Sequence, residues 1–207
     1  DQDDTQETAP DTSSWTTVDN LTQVNGTGFI NNNCSLDRTQ ESSGIVTMTA
    51  KDSNVDNQIL LQFANAAENI KAFEISTTVT AGTGRRGVGF KTPDGYLFFN
   101  VVENGGENGA GYVVFNVSTT AKVTQAYQAL DAAAETVITG TEVYTLKLVA
   151  ENLTGEATDT ITFYVNDIAV YTYTNTLGWD LTAKVLPAIG VRGSNASATF
   201  TDYTFKV

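Results

Sequence analysis

The residues that could carry catalysis in this chain are its carboxylates, because the 207 residues include His 0 and one cysteine, Cys34. Without an imidazole, neither a serine nor a thiol nucleophile has its usual proton acceptor. Sugar hydrolysis by two carboxylates needs them fixed about 5–9.5 Å apart, which a Glu-x-Asp-x-Glu run on one strand face provides. The chain has no such run. Its closest acidic pair, Glu103 and Glu107, is separated by a Gly-rich turn, Asn104-Gly105-Gly106-Glu107-Asn108-Gly109, which leaves their spacing unset. The expectation is a protein that is not an enzyme.

Binding chemistry is better supplied. Sugars are held by aromatic faces against their C–H groups and by Asn, Asp, Arg or Glu side chains reading their hydroxyls. Alternation along Tyr96–Glu103 puts Tyr96, Phe98 and Asn100 on one face and Leu97, Phe99 and Val101 on the other. Neighbouring strands are expected to add Lys91 and Tyr112 to the Tyr96 face, and Arg192 lies at another strand end. The candidate ligand-binding set is therefore Lys91, Tyr96, Asn100, Glu103, Tyr112 and Arg192. Phe98 and Phe99 serve equally as core rings, Trp15 and Trp179 are read as core or loop anchors, and Arg85-Arg86 as a solvated turn able to hold an anionic sugar.

Asp52, Asn54 and Asp56 place oxygen side chains at alternate positions of one short loop, the spacing that wraps a hard cation such as Ca²⁺. The loop departs from the EF-hand pattern, with Asn57 at the turn glycine and Phe63 at the bidentate glutamate. An unmetallated surface loop is the competing reading.

Strands must position these groups. From Trp15 onward, short runs of apolar and polar residues alternate between Gly, Asn and Asp turns, the period of half-buried strands. Strands are expected at 14–19, 28–31, 44–50, 58–63, 71–80, 87–92, 96–103, 111–117, 142–151, 160–166, 168–175, 188–192 and 197–207. Pro93-Asp94-Gly95 and Asn166-Asp167 are hairpin turns. Val123, Tyr127, Leu130 and Val137 recur at helical spacing among alanines, so one short helix or crossover is expected in 122–137. The fold class is an all-β, two-sheet antiparallel β-sandwich with at most one short helix. Residues 1–13 form a polar acidic tail or arm and residues 14–207 a single domain.

The segment "YTLKLVAENLTGEATDTITFYVNDIAVYTYTNTLGWDLTAKVLPAIGVRGSNASATFTDYTFKV" resembles the end of concanavalin A-like lectin/glucanase sandwiches, including domain-of-unknown-function-1080 proteins and levan-type carbohydrate-binding modules. Upstream, "FEISTTVTAGTGRRGVGFKTPDGYLFF" is similar to their corresponding stretch, with Lys91 where a basic residue and Tyr96 where an aromatic is usual. The likeness covers roughly Gly44–Val207. It implies a jelly-roll fold and carbohydrate binding, and it aligns Asp202 with a structural Ca²⁺ ligand of related modules.

Net charge of −13 repels phosphate backbones and argues against nucleic acid. No apolar run approaches the ~20 residues of a membrane span. The lone cysteine excludes an intrachain disulfide, and the acidic opening reads as the tether that follows an export signal. The expectation is an extracellular or cell-surface, lectin-like or adhesion domain binding a glycan or polysaccharide, with structural Ca²⁺. The alternative is a subunit of an extracellular filament, matrix or surface layer, paired with copies of itself through strands or the N-terminal arm. A glycoside-modifying enzyme is a minor alternative.

Overall fold

The computed structural model describes residues 7–19, 21, 23–25, 34–37, 44–50, 58–103, 109–118, 122–130, 138 and 142–207. Among these every regular element is a strand: β1 (Gln23–Asn25), β2 (Cys34–Asp37), β3 (Val46–Ala50), β4 (Gln58–Phe63), β5 (Ala67–Glu68), β6 (Phe73–Thr92), β7 (Gly95–Val102), β8 (Gly111–Val117), β9 (Lys122–Ala129), β10 (Tyr144–Ala150), β11 (Thr160–Val165), β12 (Ile168–Thr174) and β13 (Lys184–Lys206). Expected strand 28–31 and the cation loop Asp52, Asn54 and Asp56 lie outside the described residues.

The strands make two antiparallel layers. The front layer runs β9-β8-β7-β6-β13-β4-β1 and the back layer β12-β11-β10-β6-β13-β3-β2, with β5 beside the start of β13. β6 and β13 belong to both: Arg85–Lys91 pairs with Leu186–Arg192 in front, and Glu74–Thr80 with Thr199–Lys206 behind. The architecture is the expected all-β sandwich.

Each long strand was expected as two, and the reason is a change of phase. In the back half of β6, Phe73, Ile75, Thr77 and Val79 face the core; in its front half Arg86, Val88 and Phe90 do. Strict alternation cannot move the core face from odd to even positions. The switch occurs where Ala81 (φ 49°) and Gly84 (φ 71°) enter the left-handed region. β13 does the same: Val185, Ile189 and Val191 face inward before Gly193 (φ 106°), Ala196, Ala198 and Phe200 after it, and Phe205 after Asp202 (φ 48°). To local patterning such a phase break looks like a strand end.

The inter-layer core joins both sheets. Phe99 meets Phe163 and Tyr173 at ring separations of 5.6 and 6.4 Å, Tyr112 meets Tyr171 at 5.1 Å, and Phe73 meets Phe90 at 5.3 Å. Trp179 is buried in the same cluster, as an anchor. Tight turns close the hairpins as expected: Pro93-Asp94 links Thr92 to Gly95, and Asn166 and Asp167, at φ 48° and 64°, link Val165 to Ile168.

One expectation changes. Lys122–Ala129 is a strand rather than a helix, because β8 offers an unpaired ladder edge and pairing there satisfies the backbone of β9 that local Ala content would have satisfied by helix. Val123 and Tyr127 are accordingly exposed, and Leu130 turns into the core. The described part of the N-terminal segment lies on the sandwich. Ala9 donates to Asp167 O, Ala169 donates to Glu7 O, and Thr16 and Val18 pair with Val207 and Phe205. Thr12, buried, donates its hydroxyl to Glu74 Oε2 at 2.5 Å.

A Cβ at Gly84 would lie 2.7 Å from Ala196 Cβ and require a left-handed backbone. Gly84→Ala is expected to cost about 2 kcal/mol or more, seen as a melting temperature lowered by roughly 4–8 °C in calorimetry. Removing residues 1–13 uncovers Glu74 and the Ile168 edge; lowered thermal stability without a change in solution mass is expected from calorimetry and light scattering.

Candidate functional site

The front layer has a second face, turned away from the core, and β4, β6, β7, β8 and β13 build it together. Its register rows are Leu186, Lys91, Tyr96 and Val117; then Ala188, Gly89, Phe98 and Phe115; then Gly190, Gly87, Asn100 and Val113. Arg192 and Arg85 follow as the next pair. Tyr96, Phe98, Val113, Phe115 and Val117 form an apolar cluster separate from the main core.

Glycines shape this face. A Cβ at Gly89 would overlap the Phe98 ring and the Leu97 carbonyl, and one at Gly87 the Phe99 carbonyl. Their absence of side chains lets β7 approach β6 closely and lets Phe98 lie across Gly89. Phe98 and Phe115 stack at 5.7 Å, and the Arg192 guanidinium carbon sits 5.9 Å from the Phe115 ring centre. Lys91 Nζ stands 5.4 Å from the centre of the Tyr96 ring, whose hydroxyl donates to Gln62 Oε1 at 2.8 Å. Arg85 lies 5.6 Å from the ring of half-exposed Tyr127.

Asn100 is the chemically unsettled group on this face. Its side chain is 0% exposed, and neither its carbonyl oxygen nor its amide nitrogen has a hydrogen-bond partner. Such a buried amide costs about 1–3 kcal/mol. Where the face meets the Pro93-Asp94 hairpin it opens into a hollow of about 330 Å³ lined by Lys91, Thr92, Pro93, Lys184 and Leu186.

Of the six expected ligand-binding residues, four share this face: Lys91, Tyr96, Asn100 and Arg192. Tyr112 and Glu103 do not. Tyr112 pairs with Val101 rather than with Tyr96, so its ring points between the layers against Tyr171, and its hydroxyl donates to Gln128 Oε1 at 3.1 Å. Glu103 follows Val101 by two and shares the inward face. There it makes an ion pair with Arg86 and accepts from Gly84 N at 2.7 Å. Arg86 is 0% exposed, donates Nε–H to Tyr144 Oη and Nη1–H to Gly84 O, and so is no solvated turn residue. Lys184 escaped the sequence reading because its strand was expected to begin at Ala188; the alternation of Lys184, Leu186, Ala188 and Gly190 was the available signal.

Asp202 is exposed on the β13 bulge, where its positive φ resets the phase that carries Phe205 inward. Among the described residues no three His, Cys, Asp or Glu side chains gather into one cluster. No carboxylate of the described residues stands on the register rows of the outer face.

Burial is the leading cause that raises the hydroxyl pKa of Tyr112, Tyr144, Tyr164, Tyr171 and Tyr173 above the ordinary 10.0. A folded-state value raised above the unfolded one gives stability that is full below pH 10 and lost as pH climbs through the folded values. Melting temperature is therefore expected to fall steeply above about pH 10, and less steeply in Tyr144→Phe. Glu103→Gln strands the buried Arg86 charge. Because Glu103 is partly exposed, the expected loss is about 2 kcal/mol rather than the about 3–5 kcal/mol of a fully buried pair, read by urea denaturation.

No protein-family profile matches the chain, and no curated protein matches it in sequence. Solved structures do share its shape. The carbohydrate-binding module CBM66 from Bacillus subtilis superposes with TM-score 0.57 at 16% identity, over 91% of this chain and 98% of that one. A functionally unknown protein from Saccharomyces cerevisiae gives 0.53 at 13%, over 89% and 95%. An endo-1,3-beta-glucanase from Streptomyces sioyaensis gives 0.51 at 10%, over 96% and 98%. At these identities the likeness concerns the fold, and that fold is the concanavalin A-like sandwich.

Proposed function

We propose that the chain is a non-catalytic carbohydrate-binding domain that works outside the cell and meets its sugar on the outer face of the front layer. The observation that carries this reading is the open hollow of about 330 Å³ at the hairpin end of that face, where the partly exposed Lys91 and Leu186 meet Pro93 and Lys184. A sugar hydroxyl accepts from an ammonium such as that of Lys91, while the aliphatic flanks of Pro93 and Leu186 offer surface to sugar C–H groups. The same fold in a carbohydrate-binding module agrees with this use.

Hydrolysis has less support, although a glucanase shares the architecture. Glu103 faces the other side of the sheet and is engaged by Arg86, and the register rows of the sugar face bring no pair of carboxylates together among the described residues. An acidic surface and a single cysteine suit an exported domain. Self-assembly through the arm would require an exchange, because residues 7–18 already bond to their own sandwich.

A broad glycan array followed by calorimetry tests the reading. Binding is expected to weaken about tenfold or more in Lys91→Ala, the scale of one lost polar contact, with a melting temperature close to the parent's. No binding to any glycan, with and without Ca²⁺, would end it.

A further inference from the structure

The hollow at the hairpin end of the outer face has an unbalanced chemistry. Lys184, Leu186 and Lys91 all turn outward there, because Val185 between the first two is in the core and Leu186 stands opposite Lys91 in the β13–β6 ladder. Pro93 and Thr92 close the other side. Lys91 is held in place: its ammonium rests over Tyr96, which is 3% exposed and tied by its hydroxyl to Gln62. A ring face attracts a cation but gives it no counter-charge. Whereas Arg86, Lys147 and Lys206 each have a carboxylate at hand, none of the described carboxylates lies within ion-pair distance of Lys91. Lys184 has Glu68 Oε1 at 3.9 Å, with both side chains about half exposed, a loose contact that water and salt weaken.

A neutral sugar is best read by a balance of donors and acceptors, since each hydroxyl does both. This lining holds two ammoniums that only donate, the apolar flanks of Pro93 and Leu186, and a Thr92 hydroxyl already bonded to Gly95 O and Asp94 N. Glu68 and Asp94 do not line it.

We propose that the hollow selects a saccharide bearing a carboxylate or a sulfate, its charged group between Lys91 and Lys184 and its C–H face against Pro93 and Leu186. The proposal rests on the carbohydrate reading above. The chain's charge of −13 gives it a further edge. At distances up to the Debye length, about 10 Å at 0.1 M salt, the protein repels polyanions in general, and the two lysines act only at contact. A charged sugar that fills the hollow is retained, while a polyanion that does not fit is turned away.

The test is calorimetric titration of the whole chain with polygalacturonate, dextran sulfate, unmodified dextran and polyglutamate, beside the glycan array. Polygalacturonate or dextran sulfate is expected to bind, whichever does so telling carboxylate from sulfate. Lys91→Gln and Lys184→Gln, at unchanged melting temperature, should each weaken that binding about tenfold, as for one charge-assisted hydrogen bond. Dextran bound as tightly as its sulfate would overturn the selection for charge and leave the carbohydrate reading intact, and so would array hits confined to neutral glycans. Polyglutamate bound equally well, or charged-sugar binding that survives both substitutions, would also overturn it. A chain that binds none of these and nothing on the array fails both readings together.

Discussion

The ladder between β6 and β13 is the constraint on which the molecule depends. Two adjacent strands run through both layers, so the sheets are continuous along this pair and the core is closed by their bend. The bend needs the left-handed residues Ala81, Gly84 and Gly193, and each phase change there decides which side chains of the next stretch point inward. The functional face inherits its composition from the same event. After the switch, Val88 and Phe90 enter the core and Lys91 is left outside, opposite Leu186.

A shift of one residue in alternation separates two kinds of electrostatics in this chain. Inward, Arg86 is buried with Glu103, Tyr144 and the Gly84 carbonyl, a charge compensated within the fold that secures the bend. Outward, Lys91 rests on the ring of Tyr96. A cation that already has a carboxylate has little left for a ligand, whereas one poised on a ring keeps its charge available. Lys91 is of the second kind.

Much of this was legible before any coordinates. Two-residue periodicity placed Tyr96, Phe98 and Asn100 together and opposed them to Leu97, Phe99 and Val101, and turn chemistry located Pro93-Asp94 and Asn166-Asp167. These are local properties of the chain. The errors came where a partner decides. Tyr112 faces inward because it is registered with Val101, a pairing that no pattern within β8 encodes. Val123, Tyr127 and Leu130 have helical spacing, but the edge of β8 recruits Val123 and Tyr127 into β9. Lys184 joins Lys91 only through the β13–β6 register, nearly a hundred residues apart in sequence, and Glu103 was assigned to the sugar face without regard to the parity that hands it to Arg86.

The position of β13 also bears on how the chain reaches this state. The last strand in sequence is central in both layers, and Phe205 and Val207 bond to Val18 and Thr16 near the first described residues. Until Lys184–Lys206 is available, β6 lacks a neighbour that it has in both layers, and the β2–β3 and β1–β4 pairs have no strand through which to join the sheet. Closure therefore spans almost the whole contour of the chain, a high contact order that places folding toward the slow, milliseconds-to-seconds range of all-β domains. While it waits, the exposed flank of β6 is an open edge for another strand, so the speed with which β13 arrives governs how much of the protein escapes aggregation.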